Sequence, residues 1–356
     1  MKLIAFYLPQ FHTIPENDKW WGKGFTDWVN TKKAKKISNK QRQPRVPYQE
    51  RYYDLTNSDE LKWQMDVARE YGLDGFCFYH YWFDGKLLLE KPVEIMRTLP
   101  ERIPYCLCWA NEPWSRTWDG THSVLIEQKY RGQEDWEAHY RYFLKYFNDD
   151  KYIKADNCPV LVIYRTNDIP KCDDMIHYWD LKCKEDGFDG IYVIEEVNSF
   201  QHFPSCKLSK AFLEFEPMYT TSAKRKFIER CIDYTTTRMF RLVNHSENIL
   251  YSYDRIWKNI VSREHASIGD KKNCPGGFVD WDNTARKGKK SIIFNGANPE
   301  KFKRYLTQLM TIARRNNSPF VFINAWNEWG EGTYLEPDTD FGFSYLEAIK
   351  DLNNED

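Results

Sequence analysis

Eight times along the chain a short apolar run ends in polar or aromatic residues and gives way to an amphipathic stretch. The runs fall at residues 3–8, 75–80, 104–110, 160–164, 191–195, 211–215, 277–281 and 320–325, and each reads as a buried strand. Helical spacing follows most of them, at 57–71, 133–147, 173–186, 252–263 and 299–315. The first of these opens on an Asn or Ser cap and carries Leu61, Met65 and Ala68 on one face. Parallel neighbours need crossover connections, so this alternation predicts an α/β chain, a single (β/α)8 TIM barrel over residues 1–356. An open doubly wound sheet would also alternate, but no glycine-rich phosphate loop follows the first strand. At 356 residues the chain is within the range of one barrel domain.

One connection is too long for a simple crossover. Residues 9–56 leave the C-terminal end of the first strand, the end where barrels carry their active sites, and include Trp20, Trp21 and Trp28. These rings can pack as the core of the loop or offer flat faces to a ligand. The whole chain is rich in such rings: 17% is Phe, Trp or Tyr, with 14 Trp and 23 Tyr. Trp and Tyr pair an apolar face with a polar tip, which suits the C–H faces and hydroxyls of a sugar. Charge points away from polyanions, since 51 basic residues meet 52 acidic ones and nucleic acid binders carry a basic excess.

The nine cysteines have no metal spacing or disulfide framework, and the start has too short an apolar run for a signal peptide. Free thiols in a reducing compartment, hence the cytoplasm, are the expectation. No stretch is long enough to span a membrane. His12, His80 and His122 form no ligand constellation, and no metal or cofactor is expected.

Polar residues cluster where the strands end. Glycoside chemistry needs two carboxyl groups, roughly 5–5.5 Å apart for retention and roughly 6.5–9.5 Å for inversion. Glu328 and Glu331 are the leading catalytic pair, three residues apart beside Gly330 and Gly332, which ease a turn. Alternation along an extended strand would put Asn324, Trp326 and Glu328 on one side. Tyr7, His12, Trp21, Tyr79, His80 and Trp109 are candidate substrate contacts. So are Asn111, Glu112, Trp281, Asp282, Trp326 and Asn327, with Glu112 the rival acid. Of Glu195 and Glu196, one is expected to form a wall and the other a buried ion pair. Asp280 and Asp282 have Asp-x-Asp spacing but read as rim residues.

Several runs carry a resemblance: AFYLPQFH at 5–12, PEND at 15–18, WWGKGFTDW at 20–28, GFCFYHYWF at 75–83 and CWANE at 108–112. With AWNEWGEG at 325–332 and LEPD at 335–338, they resemble the WbsX-like family of bacterial polysaccharide-locus proteins. That family is described as glycosyltransferases of O-antigen or capsule assembly. It is similar to the family-99 glycoside hydrolases, endo-α-mannosidases that are retaining (β/α)8 barrels. The resemblance implies Glu328 as the base toward the sugar 2-hydroxyl and Glu331 as the acid/base for the leaving group. Gly330 departs from the hydrolases, which tend to have His there. Three functions follow: a retaining glycosidase-type enzyme on an α-linked, mannose-like glycan, a transferase of surface polysaccharide assembly, or a non-catalytic glycan-binding barrel. In each the partner is an oligosaccharide or polysaccharide, and the oligomeric state is open.

Overall fold

The computed structural model describes residues 1–39, 41–116 and 123–354; His122 lies outside the described residues. Nine parallel strands form the central sheet: β1 (Lys2–Tyr7), β2 (Gly75–Phe83), β3 (Tyr105–Trp109), β4 (Cys158–Ile163), β5 (Tyr192–Val197), β6 (Ala211–Glu214), β7 (Lys272–Cys274), β8 (Gly276–Phe278) and β9 (Phe320–Asn324). They run in the order β7-β6-β5-β4-β3-β2-β1-β9-β8. β7 and β8 are halves of one strand broken at Pro275, which has no N–H to give to a ladder; the run expected at 277–281 overlaps only β8, and β7 precedes it. The first half pairs with β6 and the second with β9, so the sheet comes round on itself as a nearly closed barrel. Gly276 is where this seam is tightest, since a Cβ there would be driven into the Glu214 carbonyl oxygen.

Helices α1 (Ser58–Glu70), α2 (Lys91–Thr98), α3 (Gln133–Phe147), α4 (Cys172–Glu185), α5 (Phe227–Asn244), α6 (Tyr253–Val261), α7 (Pro299–Arg315) and α8 (Ser344–Asn354) surround it. Asn57 caps α1 by accepting from the Asp59 N–H, and Ser252 caps α6 through the Arg255 N–H. Leu61, Met65 and Ala68 are buried under α1 as the spacing predicts. The long segment after β1 folds into two short helices, Pro15–Trp21 and Asp27–Lys33. Trp28 packs inside it, its indole N–H donating to the Tyr53 carbonyl at 2.8 Å, while Trp20 and Trp21 stay half-buried.

Strand parity decides which residues face the barrel interior. The Phe6 ring meets Tyr79 at 5.3 Å and Phe322 at 5.6 Å on the two adjacent strands, and Phe215 at 5.3 Å across the barrel. Phe6 and Tyr79 therefore point in, and Tyr7 and His80 point out. The expected alternation of Asn324, Trp326 and Glu328 does not occur, because β9 ends at Asn324. Beyond it Trp326 turns out against Phe76, and Asn327–Glu328 forms a hairpin with Thr333–Tyr334. All nine cysteines are free.

Candidate active site

The hairpin after β9 sets Glu328 at the barrel mouth, and the tight turn Trp329–Glu331 brings Glu331 back beside it. Gly332 closes that turn at φ +67, with its Cα side against the Asp282 backbone. One guanidinium joins the pair: Arg286 meets Glu328 at 3.0 Å, Glu331 at 2.8 Å and Asp27 at 2.8 Å. The nearest carboxylate oxygens of the two glutamates therefore stand no more than roughly 8 Å apart, given the width of a guanidinium fork. Asp27 and Glu328 are buried, whereas the Glu331 side chain keeps 25% of its surface open.

Burial pushes Glu328 up to about 8; Arg286 opposes the rise, and the neighbouring Glu331 and Asp27 add to it. Burial also raises Glu331, again against the pull of Arg286. Arg286 itself is disfavoured by burial, but its three carboxylates outweigh that and hold its charge firmly. The same ion pair explains the glycine between the glutamates. A Cβ at Gly330 would collide with Asp27 Oδ2 and stand 2.7 Å from Arg286 Nε.

Around this centre stand residues whose proton affinity is raised first by burial and then by the nearby carboxylates. Tyr79 feels Glu196 and Glu328, Tyr81 feels Glu328 and Glu112, and Tyr164 feels Glu112, Glu196 and Glu331. Glu112 is partly exposed, 3.8 Å from Arg165, and burial raises its carboxyl. Glu196 is buried and accepts from Asn198 at 2.9 Å, the one side-chain donor to it among the described residues, and burial raises it well above the ordinary range. Its neighbour Glu195 is the ion-pair partner, 2.7 Å from Lys271 and held low by donors including the Cys206 N–H and Ser209. Trp114 continues the wall, 5.5 Å from both Tyr81 and Trp20.

Several expected substrate contacts do other work. Outward parity sends the Tyr7 hydroxyl to Gln64 at 2.5 Å and the His80 ring to His139 at 2.8 Å. Burial lowers His80 to about 3, so it is neutral. Trp109 likewise points out, edge-on to His139 under α3. His12 and Trp326 are fully buried and Trp281 nearly so. Asn327 clamps the end of β1, accepting from the Leu8 N–H and donating to the Leu8 carbonyl. Asn111 accepts from the Arg165 N–H and so positions that loop. Asp282 accepts from Gln41 and Thr284, while its own N–H donates to the Glu331 carbonyl at 2.8 Å, bracing the turn from behind. Trp21 sits on the rim against Phe25. Of the predicted residues, Glu328, Glu331, Tyr79 and Glu112 come together. Glu196 joins them as the expected wall residue, and Asp27, Arg286, Tyr81 and Tyr164 join them unpredicted.

Among the described residues no group of His, Cys, Asp and Glu is arranged to hold a metal ion. Asp280 accepts from Arg42 and Arg45, both at 2.8 Å, so the Asp-x-Asp spacing is taken up by structural bonds. No helix among the described residues is long and apolar enough to cross a membrane.

Known proteins share this architecture. A structure described as the GH99 endo-alpha-mannosidase from Bacteroides thetaiotaomicron superposes with a TM-score of 0.57 at 10% identity, covering 99% of this chain and 96% of that one. A glycoside hydrolase-like protein gives a TM-score of 0.62 at 13% identity over 99% and 93%. In sequence, a protein of Xanthomonas campestris pv. campestris described as uncharacterized protein WxcX is 37% identical over 98% of this chain. The chain spans about half the length, 49%, of that relative. The family profile described as Glycosyltransferase WbsX matches residues 3–349, and the chain belongs to that family of carbohydrate-active enzymes.

Proposed function

We propose that this barrel processes an α-linked, mannose-like glycan by retaining, glycosidase-type chemistry. The observation that carries this reading is the shared guanidinium, which holds Glu328 and Glu331 side by side at the barrel mouth. Their separation is compatible with one anomeric centre between them. Glu328, deprotonated, takes the proton of the sugar 2-hydroxyl, and that oxygen attacks its own anomeric carbon. Glu331 gives a proton to the departing oxygen as the glycosidic bond breaks. Water, losing a proton to Glu331, then opens the anhydro sugar at the anomeric carbon, and the 2-oxygen recovers its proton from Glu328. Tyr79, Tyr81 and Tyr164 supply the wall against which a sugar ring lies, and Glu112 is within reach of its hydroxyls.

Transfer from an activated sugar in surface-polysaccharide assembly is the second reading, favoured by the family's description. The acid-rich surroundings weigh against a pyrophosphate donor, because Arg286 is engaged by three carboxylates and Arg165 by Glu112 and Asp168. Turnover of defined mannose-type oligosaccharides, with and without nucleotide sugars, separates the two. Glu328→Gln and Glu331→Gln should each lower turnover by about 10³-fold or more while substrate still binds. Full turnover in both variants would sink the assignment, and product that forms only with a nucleotide sugar would sink the hydrolytic reading.

A further inference from the structure

The connection from β6 to β7 leaves the barrel at the end that carries Glu328, and it contains the 18-residue helix α5. A surface helix ordinarily turns its apolar side inward. Here the buried positions are polar. Asp233 is paired with Arg225 and Arg255, and Thr237 exchanges hydrogen bonds with the Leu250 backbone. The apolar side faces out: Ile228, Ile232, Met239, Leu242 and Val243 recur at helical spacing and are exposed by 71, 40, 67, 69 and 76%. Phe227 and Tyr234 are exposed beside them, and Lys224 lies 5.4 Å over the ring of exposed Phe203 on a neighbouring loop. An outward stripe of this kind is a surface for contact, because water gains nothing from it.

Charge identifies the contact. Residues 224–244 hold six Lys or Arg against Glu229 and Asp233, in a chain whose formal charge is −1. Lys226, Arg230, Arg238 and Arg241 are exposed. A second copy of the helix would bring only more positive charge to this surface, whereas lipid phosphates would neutralise it. We propose that α5 lies in the interface of an anionic bilayer, its apolar stripe among the upper acyl chains and its cations at the headgroups. An interfacial helix needs no spanning segment, and this reading does not depend on the barrel's chemistry.

Co-sedimentation with vesicles tests it. The full chain should bind vesicles of equal phosphatidylcholine and phosphatidylglycerol, and bind pure phosphatidylcholine about tenfold more weakly. Replacing the exposed Ile228, Met239 and Leu242 together by Ser should cut binding by about tenfold or more with the melting temperature unchanged. Arg230→Glu with Arg238→Glu should lower it by roughly fivefold or more per charge, and this pair carries the test should the apolar variant not fold. A wild-type chain that stays in the supernatant, or variants that bind as well as wild type, would overturn the proposal. So would a dimer, seen by light scattering, that the Ser variant dissolves without any vesicle binding, since the stripe would then be a self-interface.

Discussion

Arg286 is the residue on which the proposed chemistry turns. It holds two carboxylates in one orientation and lowers the proton affinity of both, against burial that raises it. Arg286→Met should therefore raise both pKa values further, moving the alkaline-rising limb of the rate profile to higher pH and lowering kcat by about 10²-fold. Arg286→Lys, with charge but no fork, should recover part of the profile and little of kcat. An unshifted limb in a pH–rate series of Arg286→Met would show that the guanidinium does not set these pKa values. The glutamate pair was legible from its spacing between glycines, but this arginine was not. It sits in a four-residue helix, Thr284–Lys287, with no motif around it, and its partners are 259 and 42 residues away in sequence. Strand-end position marked His80 and Trp109 as readily as Tyr79, because a single strand does not say which parity faces inward.

At the level of elements, every expected strand exists, since apolar runs of that length bounded by polar tips have few other buried uses. The split at Pro275 was hidden because a proline in a short run reads as a boundary. Gly276, next to it, is the seam's test: Gly276→Ala must push the Glu214 carbonyl away and should cost about 3 kcal/mol or more. Chemical denaturation would measure this, and a cost near zero would mean that the strands separate freely there. Helix α5 escaped the sequence reading for another reason. Its consecutive threonines, Thr235, Thr236 and Thr237, disfavour helix, and its apolar positions answer to no core.

Over the whole molecule, buried titratable groups of opposite sense pull stability in opposite directions with pH. Burial lowers His12, His80 and His139, so the unfolded chain binds more protons at those sites below pH about 6.5 and stability there rises with pH. Glu336, which accepts from Tyr53, Gln64 and Trp329 behind the site, is raised to about 7 by burial. The folded chain keeps that proton where the unfolded chain has lost it, so its contribution falls as pH rises from about 4.5 through 7. A difference between proteins isolates it. The melting temperature of Glu336→Gln relative to wild type should climb by about 5 °C from pH 5 to pH 8, and a flat difference would place the proton elsewhere. A last consequence belongs to descent. The Asp27–Arg286 pair occupies the volume that a side chain at position 330 would need. Position 330 is therefore not free to vary alone: a lineage that acquires a larger residue there must give up or reposition the aspartate or the arginine. The three sites should change together wherever this barrel's family tree branches.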